Sequence, residues 1–422
     1  MFTPRARYRF YGSPGNYSSA ASHVLGTFFG RAVDYRESLE REVAKMVGVD
    51  HAICVPQARF GLYLVLARLL EPERNHVVMS PYTIHDVVNM VLCAGGRPVF
   101  ADIESETCNV DAAEIERLID ERTGAVMITH LHGLACDVER IRAVCVARGV
   151  PLIEDAAQAF GARVNGCLLG GLGRAGVFSF GRAKNINAFY GGMIVTSDGT
   201  LARAIRSDLA SLPEEDAPKL AKRIAHCAVG DMATLPPIYS WLTFNIFRRA
   251  AVNGVESVNK IVQTENNPVR KEELPAAYKR RLTQMQARLI LEQVAMLDQN
   301  TRARRELARI YHDGLQGVPG IQLPPWRDDG SHIYLQYPVQ VPDRWSYVRY
   351  MMTHGRDLAI QHMTTAADLE IFKDFARDCP IARRTAERVV LLPTYPRYGA
   401  DEVRANVRVT LDYLRQQGAA VR

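Results

Sequence analysis

Residues Pro151–Thr196 read PLIEDAAQAFGARVNGCLLGGLGRAGVFSFGRAKNINAFYGGMIVT, and this stretch decides the fold. An apolar run ends in an acid, Asp155. A second run ends at a hydroxyl, Ser179, with a lone lysine, Lys184, five residues on. A glycine pair, Gly191 and Gly192, then opens a third run. Short β-rich runs that end at polar groups are how an open α/β sheet presents side chains beyond the carboxyl ends of its strands, where ligands gather. Taken alone, Asp155 could equally cap a helix over AAQAF. The literal GxGxxG of Gly171–Gly176 is set aside, because a dinucleotide loop needs a strand before it and a helix after it. Here a polar turn precedes and VFSF follows, so it reads as a glycine-rich turn shaping the pocket.

Upstream, HAICVP, HVVMSP, RPVFADI, GAVMITHL and VPLIED are short apolar runs. FGLYLVLARLLEP, HDVVNMVLCAGG, DAAEIERLIDERT and DVERIRAVCVARG lie between them, with apolar residues at three- and four-residue spacing. This alternation predicts a mostly parallel central sheet flanked by helices on right-handed crossovers. The chain divides into an N-terminal arm (1–34), a large α/β domain (35–210), an insertion (211–275), one long linking helix (276–316) and a smaller C-terminal α/β domain (317–422). In the last, HIYLQYPVQV, DLAIQHM and RVVLLPT are the strand candidates.

With 422 residues and 47.1 kDa the chain is long enough for both domains and an ample core. Its formal charge of +6 favours anionic substrates mildly and gives no reason to expect nucleic acid. Eight cysteines occur without a CxxC pair, which predicts reduced thiols, a cytoplasmic protein and no metal site. The opening MFTPRARYRFYGSPG lacks the apolar core of a signal peptide.

EDAAQAFGA, FSFGRAKN and GGMIVT, in that order, resemble the core of the DegT/DnrJ/EryC1/StrS family of sugar aminotransferases, which use pyridoxal phosphate (PLP). The resemblance extends over most of residues 35–200, through VDYRESLEREVAKMVGVDHAICVPQ, GGRPVFADIESETCNVDAAEIERLI and THLHGLACDVERI. It implies Asp155 at the pyridine nitrogen, Gln158 at the phenolic oxygen, Ser179 at the phosphate, and Lys184 as the Schiff-base lysine and proton carrier. It further implies an amino acid donor, glutamate or glutamine, a keto-sugar acceptor on a nucleotide or lipid carrier, and a homodimer with shared sites. Related enzymes that dehydrate sugars often replace the lysine or carry clustered cysteines, and this chain does neither. A non-catalytic relative that binds cofactor or sugar at a membrane is the third reading.

Three positions depart from the family pattern. Gln57-Ala58-Arg59-Phe60-Gly61 stands where a Ser-Gly-Thr-like phosphate loop is usual; helix amides and Arg59 could hold phosphate instead, or Arg59 could simply face solvent. Ile84 stands where an aromatic stacks on the ring, leaving His85, Tyr82 or an aliphatic contact to compensate. Lys279, in AAYKRRLTQMQARL, replaces an asparagine in the segment that reaches the neighbouring subunit's phosphate. His332, Tyr334 and His362 are candidate substrate contacts, each as readily structural. In the insertion, Met232–Phe247 (MATLPPIYSWLTFNIF) carries no charge and precedes Arg248-Arg249. It is shorter than the roughly 20 residues that span a bilayer. It either packs on the protein or its partner, or forms an interfacial contact over 232–249.

Overall fold

The computed structural model describes residues 4–9, 14–28, 34–252, 267–360 and 363–418. Helix α1 (Pro14–Phe28) precedes α2 (Tyr35–Val47). The latter starts where the Asp34 carboxylate accepts from the Glu37 amide and stops at Gly48, whose φ of 82° suits glycine. Then follow β1 (His51–Val55), α3 (Ala58–Leu69), β2 (His76–Met79), β3 (Tyr82–Thr83), α4 (His85–Cys93), β4 (Arg97–Phe100) and α5 (Ala112–Leu118). After β5 (Thr123–Thr129), α6 (Val138–Arg148) and β6 (Leu152–Asp155), a hairpin of β7 (Arg163–Val164) and β8 (Cys167–Leu168) leads into β9 (Ala175–Ser179). The glycine pair opens β10 (Gly192–Thr196), and α7 (Gly199–Ala210) follows.

Seven of these strands form one sheet in the order β1-β10-β9-β6-β5-β2-β4. From β9 to β4 every pairing is parallel, and only β10 runs against its neighbours. The strands are mostly apolar because both faces are covered, and β5 is buried at all seven positions. Since β1, β2, β5, β6 and β9 share one direction, their carboxyl ends, and the polar residues after them, meet along one edge.

The insertion is helical where it is described: α8 (Ala217–Ala233), one turn α9 (Pro236–Ile238), a π-type turn (Tyr239–Thr243) and α10 (Phe244–Val252). The expected single linking helix is two, α11 (Gln284–Val294) and α12 (Leu297–Leu315), parted at Ala295 and Met296. The two apolar faces serve different cores. Met285, Leu289 and Ile290 pack with the large sheet's helices, while Leu307, Tyr311 and Leu315 pack with the C-terminal sheet. That second sheet pairs β11 (Tyr337–Gln340) and β12 (Ala359–Ile360) with a central β14 (Val389–Leu392), covered by α13 (Arg344–Thr353) and α15 (Ala400–Gln416). One short strand, β13 (Thr364–Thr365), crosses back to pair with β3. It brings Met363 to the edge where the large sheet's strands end.

Candidate active site

At the carboxyl edge of the sheet lies a cavity of about 340 Å³. Ala58, Arg59, Ile84, Asp155, Gln158, Ser179 and Lys184 all line it, although up to 126 positions separate them in sequence. Parallel pairing explains the meeting, because Thr129 at the end of β5 sits beside Asp155 at the end of β6. Thr129 Oγ1 lies 3.5 Å from Asp155 Oδ2, and the Ala157 amide donates to Oδ1 at 3.1 Å. The residues after Asp155 form turns rather than the helix over AAQAF, so Asp155 caps no helix. Gln158 therefore reaches the cavity from a turn, and its Oε1 accepts from the His132 amide at 2.9 Å.

Asp155 is buried to 4% exposure, and burial pushes its carboxyl above the usual range, with the Lys184 charge drawing it partly back. Such a carboxylate is suited to a cationic partner placed in the cavity. Lys184 follows Ala183, whose φ of 62° is left-handed and turns the chain sharply after β9. Ser179 Oγ accepts from the Gly181 amide at a long 3.4 Å. The first amides of α3 have no side-chain cap at Gln57. A Cβ at Gly192 would sit 2.6 Å from the Ala58 nitrogen, so the second residue of the glycine pair is what lets α3 begin so close to the sheet. A buried carboxylate, an amine, and a hydroxyl near a helix N-terminus fit a ligand with a ring cation, an aldehyde and a phosphate. PLP has all three.

The structure also places the other candidate residues. Ile84 lines the cavity, whereas His85 and Tyr82 do not, so the side chain from that position is aliphatic. Arg59 does reach the cavity, but its guanidinium is ion-paired with Asp86, which is almost fully buried. Burial would push Asp86 up, yet Arg59 and the hydrogen bonds from Lys271, Tyr278 and Asn89 hold it well below the usual carboxylate range. Tyr278 Oη donates to it at 2.6 Å and Asn89 Nδ2 at 3.1 Å. Lys279 is exposed and does not line this cavity. His332 and Tyr334 are fully buried and stacked on each other, ring centroids 3.6 Å apart, with Trp326 beyond. Burial takes His332 down to about 3. Their neighbours Leu335 and Gln336 face the cavity instead. His362 lies outside the described residues.

The GxGxxG turn does not line the cavity. Its backbone wraps Glu154, whose carboxylate accepts from the amides of Gly170, Leu172 and Gly173 at 2.8, 2.7 and 2.6 Å and contacts His130 Nε2 at 3.1 Å. Burial alone would raise that carboxyl, but His130 and the amides hold it below its ordinary value. Glu154 thus pins the strand whose next residue is Asp155. Sequence reasoning missed this clamp, and missed Asp86 with Lys271 and Tyr278. Its one available signal was an unusual pair of adjacent acids at a buried strand end. At the cavity mouth, Tyr190 lies under two guanidinium groups, Arg223 of α8 at 4.4 Å and Arg182 at 5.9 Å.

Among known proteins, the chain is 29% identical over 385 residues to the UDP-N-acetyl-3-dehydro-alpha-D-glucosamine 3-aminotransferase of Acidithiobacillus ferrooxidans, covering 91% of this chain and 88% of that protein. It is 28% identical over 377 residues to the spore coat polysaccharide biosynthesis protein SpsC of Bacillus subtilis, covering 87% and 86%. Its fold matches the E. coli GDP-4-keto-6-deoxy-D-mannose-3-dehydratase with bound hydrated PLP, with a TM-score of 0.75, 17% identity, and 97% and 100% of the two chains covered. Residues 19–409 match the DegT/DnrJ/EryC1/StrS aminotransferase family as a whole. The chain therefore belongs to that family and is a PLP-dependent aminotransferase.

Proposed function

We propose that this aminotransferase moves an amino group from glutamate or glutamine onto the keto carbon of a carrier-linked sugar, acting through Lys184. The observation that carries this is the convergence of Asp155, Ser179 and Lys184 on one cavity with the N-terminus of α3, which the Gln57 side chain does not cap. PLP bound there supplies an electron sink and an amino-group carrier. Asp155 would keep the ring nitrogen protonated, and Gln158 would donate to the phenolic oxygen. Ser179 and the first amides of α3 would hold the phosphate, with Arg59, steadied by Asp86, as the nearby cation. Ile84 would lie against the ring, giving dispersion contact in place of aromatic stacking. Lys184 would be the residue that holds the aldehyde end of the cofactor, and its amine would serve as the base and acid that carries the proton.

A nucleotide is the carrier we favour, as the Acidithiobacillus relative's name specifies a UDP-sugar. Arg182 and Arg223, stacked on Tyr190, would supply the cations for its phosphates. The presence of Lys184 in the cavity weighs against dehydration. A homodimer would let exposed Lys279 reach the neighbouring site. Eight unpaired cysteines suit a reducing cytoplasm.

The test is the visible absorption spectrum of the purified protein before and after adding glutamate, and separately glutamine. A yellow band that fades with one donor, and is missing from Lys184→Ala, supports the reading. If no band forms after PLP is added, the reading is wrong.

A further inference from the structure

Helices α8 to α10 carry two unlike faces. The inner face is tied to the body: Cys227, Tyr239 and Phe244 are buried, Tyr17 Oη donates to Asp231 at 2.8 Å, and Ser240 Oγ donates to the Pro4 carbonyl at 3.0 Å. The outer face is apolar. Val229, Met232, Ile238, Trp241, Leu242 and Ile246 all stand in solvent, Trp241 at 87% exposure and Leu242 at 58%. A surface of that extent on a soluble protein marks a contact. Residues 217–252 hold five lysines and arginines against one acid, and that acid, Asp231, is the one turned inward to Tyr17. Lys219 and Arg223 are answered by Glu215. Lys222, Arg248 and Arg249 are exposed and have no acidic partner within 4 Å among the described residues. Leu242, Ile246 and Arg249 fall at helical spacing on one stripe, so the charge borders the apolar face directly.

We infer that this face docks the enzyme on an anionic lipid bilayer. No described helix is long and apolar enough to cross a membrane, so the contact is peripheral. A second copy would cover the apolar side chains equally well. A two-fold interface, however, would set one copy of this cation-bearing face against another, bringing like charges together. Anionic headgroups neutralise those cations while the apolar side chains sink beneath them, with the amphipathic Trp241 ring at the boundary. The inference is independent of the sugar and donor proposed above.

The full-length protein would be sedimented with phosphatidylcholine vesicles and with vesicles that also contain phosphatidylglycerol. We expect it to pellet with the second and stay in solution with the first. Trp241→Glu should cut the bound fraction about tenfold, and Arg248→Glu with Arg249→Glu should remove the preference for the anionic vesicles. All variants should keep whatever spectral change the wild type shows with glutamate or glutamine, so a failure to bind vesicles is distinguishable from a failure of the aminotransferase reading. The inference is overturned if the wild type stays in the supernatant with anionic vesicles or if Trp241→Glu pellets as well as wild type. It is equally overturned if light scattering shows that Trp241→Glu lowers the assembly mass while vesicle binding persists, which would give the face to a second copy.

Discussion

The carboxyl edge of the central sheet and the outer face of α8–α10 treat the same physical constraints in opposite ways. At the sheet edge, charged groups are taken out of water and each is answered: Glu154 by three amides and His130, Asp86 by Arg59, Lys271, Tyr278 and Asn89. Asp155 is the exception, buried with one amide hydrogen bond and a long contact to Thr129, and it faces the cavity. On α8–α10, apolar groups are left in water, and Lys222, Arg248 and Arg249 stand beside them with no acidic partner within 4 Å among the described residues. Each region is locally incomplete, and each kind of incompleteness names a missing partner: a cation for the buried carboxylate, an anionic surface with an apolar interior for the helices. Unmet polar groups inside and unmet apolar groups outside are thus the two places where this fold points beyond itself.

Four substitutions would break or sharpen that contrast. The largest effect belongs to Lys184→Ala, which removes the proposed proton carrier without touching the core. Turnover should fall on the order of 10⁴-fold in steady-state kinetics, with urea unfolding unchanged. Next is Glu154→Ala, which leaves three buried amides and His130 unanswered. Chemical denaturation should show a loss of roughly 3–5 kcal/mol, although no cavity-lining group changes. The pH dependence has a definite sign. Glu154 titrates below its ordinary value near 4.5 in the folded chain, so its stabilisation is present above that value and is lost as pH falls through the lowered one.

Asp155→Asn should do the reverse. Burial raises the Asp155 carboxyl above its ordinary value near 3.8, so the folded chain holds that proton more tightly than the unfolded chain does. Stability of the cofactor-free protein therefore falls as pH rises from 3.8 through the raised value, and asparagine removes that fall. Denaturation at pH 7 should find the variant at least as stable as wild type. Equilibrium titration should nonetheless find PLP bound about 10- to 100-fold more weakly, the worth of a hydrogen bond to a charged group. A variant both less stable and normal in PLP affinity would remove Asp155 from the exception it makes here. The smallest effect is on the other side of the comparison: Trp241→Glu should change unfolding free energy by no more than about 0.5 kcal/mol and leave the glutamate half-reaction intact.

Much of this was legible in one dimension. The strands of the large sheet announced themselves because parallel strands covered on both faces are apolar runs, and polar residues at their ends follow from the topology. EDAAQ, FSF and AKN mark the cavity because local strand–turn geometry carries Asp155, Ser179 and Lys184 there with little outside help. The linking helix was misread because its apolar stripe continues across Ala295 and Met296; only the existence of two separate cores makes it break. His332 and Tyr334 looked like substrate contacts because polar aromatics in a short apolar stretch are ambiguous, and stacking decided them for the interior. Glu154 was overshadowed by its neighbour. Successive strand residues point to opposite faces, so one acid enters the cavity and the other the glycine turn.

The order of the motifs and the period of the apolar pattern were sufficient, by themselves, for the family and the sheet, since these depend on local backbone preference and short-range spacing. Tertiary structure alone decided that Arg59 is held by Asp86, that the GxGxxG turn clamps Glu154, that Ile84 rather than His85 faces the cavity, and that the insertion turns its tryptophan outward. Each of those rests on contacts between residues far apart in the chain, or on which side of an element meets the core, and neither is written in the spacing of neighbouring residues.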